Sequence, residues 1–169
     1  KKHLCKSDPK QIPILIVIIP GLTHLAILAI NLISKNHKIT VIDNGLCKKE
    51  VTILKEYLPN ISVFKLKTNR LFGKQMTDTH PEVIETLAYL PRDKVIFIDP
   101  DCYIFDNNII NSLIKDLDSH LFASPFCFTN GDLKEMNPET FLIGINTIKL
   151  RKIKKIQGVK FGDSTLPKK

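Results

Sequence analysis

The sequence predicts an α/β domain with a mostly parallel sheet flanked by helices. The chain has 169 residues, of which 43% are hydrophobic and 25% charged, and this is the composition of one globular domain. Short runs of β-branched residues alternate with segments of helical periodicity, and such alternation is typical of βαβ units. Neither an internal repeat nor an interdomain linker interrupts the pattern.

The first pair of elements lies in the apolar segment 12–33, which is long enough to resemble a membrane span. Pro20-Gly21 interrupts its middle, and His24 and Asn31 within the segment would be costly in lipid. We therefore predict a buried strand over Ile14–Ile19, a turn, and a helix that begins near Thr23.

The remaining elements continue the alternation. Helices are assigned where apolar residues recur at intervals of three and four, with Pro59 and Pro91 ending two of them, and strands where apolar residues run together or alternate. The predicted strands are 38–42, 61–66, 94–98 and 121–124, the helices are 48–58, 81–90 and 109–117, and 141–150 is a strand or a strand–helix joint.

Three of the predicted strands are followed by turn-forming residues. These are Pro20-Gly21, Asp43-Asn44 and Asp99-Pro100-Asp101. Because ligands of parallel α/β sheets bind where loops leave the carboxyl ends of the strands, we expect the three turns to share one edge of the sheet.

The net charge of +8 belongs to the two ends of the chain. Residues 1–10 carry +3 and residues 147–169 carry +7, which leaves −2 for residues 11–146. Only three of the 25 basic residues are Arg, the side chain that phosphate and base recognition favours, and we expect no nucleic-acid partner. The sequence divides into a basic N-terminal segment (1–11), the α/β domain (12–151) and a basic C-terminal tail (152–169), and that tail could contact anionic lipid.

The four cysteines are scattered, with no C-x-x-C pair and no paired histidine spacing. A zinc site and a disulfide framework are therefore both disfavoured, and a reducing compartment fits best. We expect a cytoplasmic protein, with the membrane surface as the alternative that the basic tail leaves open.

The residues best suited to chemistry are Asp99 and Asp101, directly after the apolar run 95–98. Carboxylate oxygens are hard ligands, and on an extended chain residues i and i+2 project to the same side, so this pair could hold Mg²⁺ or Mn²⁺. Chance alone gives about 0.7 such pairs in this composition. A second pair, Asp116 and Asp118, lies at a polar helix end, where we expect solvated carboxylates.

With the segment around Asp99 and Asp101, the sequence resembles a known family, the GT-A nucleotide-sugar glycosyltransferases. KVIFIDPDCYIFDN is similar to their DxD strand, and PILIVIIPG and KITVIDNG are similar to the two opening strands of their sheet. PETFLIGINTIKLRKI resembles the segment that follows the DxD region. The resemblance spans roughly residues 12–151, and it implies a GT-A-like, Rossmann-like domain.

The resemblance also implies a nucleotide-sugar donor, most simply a UDP-sugar, and a divalent cation, Mn²⁺ or Mg²⁺. Asp101 would ligate the metal, and Asp99 would contact the ribose and the metal. The loops along the nucleotide would be those of Pro20, Gly21, Asp43 and Asn44, with Asp43 near the base.

On the sugar side the resemblance implies Gly144 and Asn146, although Gly144-Ile145-Asn146 stands where the family more commonly has Asn-Ser-Gly. Lys74 and His80 are weaker candidates for diphosphate contact. No catalytic base is assigned, and three acidic residues share one plausible loop: Asp132, Glu135 and Glu139. Family members are usually longer, with a C-terminal acceptor half, so we expect either a chain without that half or a minimal domain.

The function expected from these observations is transfer of a sugar from a nucleotide-diphosphate donor to the hydroxyl of a glycan, lipid or protein acceptor. Two alternatives stay open. A nucleotide-binding domain without catalysis would bind but not turn over. A haloacid-dehalogenase phosphatase also carries strand–DxD, with the first Asp as nucleophile, but that motif has Thr where this chain has Tyr103.

Overall fold

A computed structural model describes residues 12–33, 37–65, 93–125, 127–129, 136–138 and 141–157. The strands of this part are β1 (Ile14–Ile18), β2 (Ile39–Asp43), β3 (Ser62–Lys65), β4 (Lys94–Ile98), β5 (Phe122–Ala123), β6 (Cys127–Thr129), β7 (Met136–Pro138) and β8 (Leu142–Asn146). The helices are α1 (Thr23–Ile33), α2 (Lys48–Tyr57), α3 (Asn108–Ser119) and α4 (Thr147–Gln157).

The main sheet has six strands in the order β3-β2-β1-β4-β8-β5. The first four strands in this order are parallel to one another, β8 is antiparallel to β4, and β5 is antiparallel to β8. Strands β6 and β7 form a separate antiparallel pair. The expectation of a mostly parallel sheet flanked by helices is confirmed.

Both faces of the sheet are buried, and this explains why β1 reads as a continuous apolar run instead of an alternating one. Alternate β1 residues, among them Ile16, pack in one core with apolar residues of α1, α2 and α3. The residues between them, Leu15 and Val17, pack in a second core with Phe97 of β4 and Leu150 of α4. Two apolar layers therefore fix the strands from above and below.

The predicted elements that lie in the described residues are present, and the ends of the predicted strands and helices agree with the structure to within two residues. The apolar segment 12–33 is β1, a turn and α1, and no helix of the described residues is long and apolar enough to cross a membrane. Segment 141–150 is the strand–helix joint, with the helix beginning at Thr147 and continuing past residue 151 to Gln157. The predicted loop 69–79 and helix 81–90 lie outside the described residues.

Candidate functional site

The carboxyl ends of β1, β2 and β4 meet at one edge of the sheet, which we call the rim. Ile18 of β1 is the register partner of Asp43, and Ile16 is the partner of Ile98. The N–H of Asn44 donates a hydrogen bond of 3.0 Å to the carbonyl oxygen of Ile18, which extends the ladder past the end of β2. The turns that follow the three strands therefore leave the sheet at the same edge, as the parallel topology predicts.

Asp99 and Asp101 sit in a tight turn at the end of β4. The N–H of Cys102 donates to the carbonyl oxygen of Asp99 at 3.0 Å, and Pro100 is buried between the two acidic residues. Asp and Pro are favoured at the first and second positions of such turns. The two carboxylates are thus held by a turn, which corrects the extended-chain geometry from which we first placed them on one side.

The turn is also fixed to the neighbouring strand. The N–H of Asp99 donates to the carbonyl oxygen of Phe141 at 2.8 Å, directly before β8 begins. Asp101 is exposed at the tip of the turn, and Asp99 is half-buried. The backbone of Asp99 is therefore anchored on both sides while the carboxylate of Asp101 faces solvent.

The chemistry of the turn suits a hard divalent cation. Burial raises the pKa of the half-buried Cys102 thiol, and the negative charges of Asp99 and Asp101 raise this pKa further. Both carboxylates therefore lie near the Cys102 thiol. Carboxylate oxygens are the ligands that Mg²⁺ and Mn²⁺ prefer, but the described residues contain no group of three or more His, Cys, Asp and Glu placed to hold a metal. A cation here would complete its shell with diphosphate oxygens or water.

Asp43 is 3% exposed and forms the turn after β2. Its Oδ1 accepts hydrogen bonds from the N–H of Gly45 at 3.0 Å and from the N–H of Leu46 at 2.7 Å. Gly45 has a φ of 101°, which L side chains rarely adopt. Asp43 also borders a cleft of about 690 Å³ between α2 and β3, so it combines a turn-forming oxygen with a place at the rim.

The turn after β1 depends on a residue that the sequence analysis missed. Gly21 has a φ of 90°, and its N–H donates a hydrogen bond of 2.7 Å to Oε1 of Glu50. Glu50 also accepts a hydrogen bond from the N–H of Cys47 at 3.0 Å, as the third residue of a capping box does. The spacing Cys47-x-x-Glu50 could have revealed this box, but Cys stands where Ser or Thr is usual.

The structure does not bring Gly144 and Asn146 to the rim. Because β8 is antiparallel to β4, Asn146 is paired with Lys94 at the start of β4, and Gly144 is paired with Ile96 in its middle. Asn146 is 7% exposed, its Nδ2 donates to the carbonyl oxygen of Leu117 at 2.8 Å, and its Oδ1 accepts from the N–H of Lys149 at 3.0 Å. The two residues therefore lie along β8 away from the rim, and their place beside the sugar stays a prediction.

Comparisons with known proteins give a fold and no sequence family. No family model matches the chain, and no curated protein matches it in sequence. Among solved structures, S. aureus TarS 1-349 superposes with a TM-score of 0.52 over 85% of this chain at 16% identity. The glycosyltransferase GlyE of Streptococcus pneumoniae TIGR4 gives 0.51 over 88% at 14%, and mouse xyloside xylosyltransferase 1 gives 0.52 over 84% at 10%. The chain has a GT-A-like fold.

The chain spans only part of these structures. It covers 49% of the TarS chain, 39% of the GlyE chain and 69% of the xylosyltransferase chain. The superposition therefore places the sheet and helices of this chain within a GT-A-like domain, and the regions of the larger proteins beyond it have no counterpart in the match.

Three exposed aromatic residues lie next to the acidic turn in the chain or through a backbone hydrogen bond. Tyr103 is 36% exposed, Phe105 is 83% exposed and Phe141 is 46% exposed. Ile104, in the loop that follows the acidic turn, is buried. At the end of this loop the N–H of Asn108, the first residue of α3, donates to Oδ1 of Asp106 at 2.9 Å. The sequence analysis did not single out these three residues as exposed aromatics.

The second acidic pair lies away from the rim. Asp116 and Asp118 are exposed on α3, and Asp118 forms an ion pair with Lys94 at the start of β4. Their interpretation as solvated carboxylates is confirmed. The weaker diphosphate candidates and the three loop acids lie outside the described residues: Lys74, His80, Asp132, Glu135 and Glu139.

Proposed function

We propose that the chain binds a nucleotide-sugar donor at the rim and belongs to a glycosyltransferase that moves the sugar to an acceptor hydroxyl. The observation that carries the proposal is the position of Asp99 and Asp101, in an anchored turn at the end of β4 and on the same edge as the turns after β1 and β2. In open α/β sheets this edge is where ligands bind. The GT-A-like fold supports a donor that carries a nucleoside diphosphate.

Asp99 and Asp101 are the proposed ligands of Mn²⁺ or Mg²⁺. A divalent cation held there would supply Lewis-acid stabilisation of the negative charge that develops on the leaving nucleotide. The turn needs no rearrangement to present the Asp101 carboxylate, because the backbone of Asp99 is already fixed by its bonds to Phe141 and Cys102.

The rim turns would bind the nucleoside part of a UDP-sugar, the donor that we propose. Apart from the two chain neighbours of Gly21, no atom of the described residues stands within 4 Å of the position of a Cβ at Gly21, so a ligand could approach the backbone there. Asp43 uses Oδ1 within its own turn and borders the cleft beside α2, which leaves Oδ2 as the oxygen proposed to face the nucleoside. Pro20 and Asn44 complete this edge.

The two alternatives differ in what they require. A phosphatase would transfer phosphate in Mg²⁺ without any sugar nucleotide, and the GT-A-like fold does not favour it. A nucleotide-binding domain without catalysis would share the donor site and lack turnover. The acceptor of the proposed transferase could be a glycan, a lipid or a protein, and contact of the basic tail with anionic lipid stays a prediction, because residues 158–169 lie outside the described part.

The test is calorimetric titration of UDP and then GDP, with and without Mn²⁺, on the wild-type chain and on Asp101→Asn. We expect nucleotide binding that depends on Mn²⁺. The substitution should weaken this binding at least tenfold, which corresponds to about 1.4 kcal/mol of binding free energy, because it removes a charged ligand of the cation. The free energy of unfolding should change by less than about 0.5 kcal/mol, because Asp101 is an exposed residue of the turn.

Asp116→Asn is the matched control, since it removes a carboxylate of the second acidic pair from an exposed position on α3. It should bind UDP as the wild type does. Unchanged Mn²⁺-dependent affinity in Asp101→Asn would refute the metal assignment. Equal loss in both variants would show that the effect is one of overall charge.

A further inference from the structure

The carboxylate of Glu50 joins two rim turns that are distant in sequence. Oε1 accepts hydrogen bonds from the N–H of Gly21 at 2.7 Å and from Oγ1 of Thr23 at 3.2 Å, and Oε2 accepts from the N–H of Cys47 at 3.0 Å. Gly21 belongs to the turn after β1, Thr23 is the first residue of α1, and Cys47 directly precedes α2. One side chain thus ties together the loops that follow β1 and β2.

Glu50 is partly exposed, and its environment favours the ionised form. Burial alone would raise the pKa of this carboxyl, but the N–H groups of Gly21 and Cys47, with the side chains of Cys47 and Thr23, lower the pKa below its ordinary value. The carboxylate also lies at the N-terminal ends of α1 and α2, where a negative charge is favourable. At neutral pH the contacts to both turns are therefore charge-assisted hydrogen bonds.

Local capping of α2 explains only one of these contacts. The bond to Cys47 spans three residues, whereas those to Gly21 and Thr23 span 29 and 27 residues. Within the described residues, the turn itself is closed by one backbone hydrogen bond of 3.2 Å, from the N–H of Leu22 to the carbonyl oxygen of Ile19, and Gly21 is exposed with a φ of 90°. A glycine in such a turn has many alternative conformations to adopt once released.

We propose that Glu50 is a positioning residue that holds the turn after β1 in the conformation that binds nucleotide. The role of Glu50 in fixing the turn rests on its hydrogen bonds, and its role in nucleotide binding rests on the proposed function. Glu50→Ala removes both acceptor oxygens. Glu50→Gln keeps one oxygen, which can still accept from Gly21 and Thr23, and loses the acceptor for Cys47 together with the charge.

The experiment follows the amide of Gly21 and the affinity for UDP in the same variants. Amide hydrogen exchange of Gly21, measured by NMR, reports the hydrogen bond to Glu50, and calorimetry in Mn²⁺ reports nucleotide affinity. We expect Glu50→Ala to speed exchange at Gly21 and to weaken UDP binding, each on the order of tenfold, with Glu50→Gln between it and the wild type. In the wild type the Gly21 amide shift should follow the titration of Glu50.

Glu56→Ala is the matched control, because Glu56 is an exposed glutamate of the same helix α2. It should leave the Gly21 amide and the UDP affinity as in the wild type. Wild-type exchange at Gly21 in a folded Glu50→Ala chain would overturn the proposal, and a released turn with unchanged UDP affinity would overturn its link to binding.

Two further outcomes are also decisive. If Glu50→Ala does not fold, Glu50→Gln and the wild-type pH titration of the Gly21 amide decide the role of Glu50. If the wild type binds neither UDP nor GDP, the proposed nucleotide site is wrong, whereas the Gly21 amide still decides whether Glu50 holds the turn.

Discussion

Gly144 lies against Leu117 so closely that a Cβ at Gly144 would stand 2.8 Å from Cδ1 of Leu117. Leu117 is fully buried on α3, and Gly144 is buried in the middle of β8. The absence of a side chain at this position is therefore what lets α3 approach the sheet. The glycine serves packing, at a distance along the strand from the rim.

We predict that Gly144→Ala destabilises the chain by about 1–3 kcal/mol, the usual cost of overpacking a closed core. Leu117 must shift, since its Cγ would also be only 3.2 Å from the new methyl group. Denaturant unfolding measures the loss. In a double-mutant cycle with Leu117→Ala, the cost of the new methyl should fall because its obstacle is gone. UDP affinity of the folded Gly144→Ala chain should be unchanged, and a selective loss of affinity would contradict the packing role.

Asn146 links the end of β8 to α3 and α4, and its removal should cost stability and not binding. Asn146→Ala deprives the carbonyl oxygen of Leu117 and the N–H of Lys149 of their buried partner. The expected loss is about 1–3 kcal/mol of unfolding free energy, measured by denaturant titration. Asn111→Ala, at an exposed position on α3, is the control and should stay within about 0.5 kcal/mol. Loss of nucleotide affinity in folded Asn146→Ala would contradict a purely structural role for this residue.

Asp43 should be sensitive to the loss of its oxygen more than to the loss of its charge. Asp43→Ala leaves the N–H groups of Gly45 and Leu46 without their acceptor, at a cost of about 1–3 kcal/mol. Asp43→Asn keeps a carbonyl oxygen in the place of Oδ1 and should lose clearly less. Chemical unfolding of the two variants compares the losses, with exposed Asp116→Ala as the reference. Equal losses in Ala and Asn would mean that the charge is what matters.

The contribution of Glu50 to stability should depend on pH. Its folded pKa lies below the ordinary value of 4.5, so the ionised form stabilises the folded chain at pH values above the unfolded pKa. This contribution is lost as the pH falls through the lowered, folded pKa. Unfolding free energies of the wild type and Glu50→Gln should therefore differ most near about pH 7 and converge towards about pH 3. A difference that stays constant over this range would show that ionisation of Glu50 contributes nothing.

The order along the chain of the main-sheet strands and of the described helices could be predicted from the sequence, as could the edge where the three turns meet, whereas the short strands β6 and β7 were not predicted. The apolar run of β1 and the residues Pro20-Gly21 and Asp99-Pro100-Asp101 carry that information locally, since strand and turn propensities need no knowledge of distant contacts, and the alternation of strands with helices favours a parallel sheet. Asp99 and Asp101 could be singled out because an apolar strand runs directly into them.

The direction of β8 and the contacts of Glu50 could not be predicted from the sequence and are seen in the folded chain alone. A five-residue apolar strand reads the same in a parallel and an antiparallel pairing, so the sequence could not tell that Asn146 lies beside Lys94 at the far end of β4. The hydrogen bond between Glu50 and Gly21 spans 29 residues, and its existence depends on how α1 and α2 pack on the sheet. Pairing direction and contacts of large sequence separation are set by the burial of whole surfaces, and no local segment encodes them.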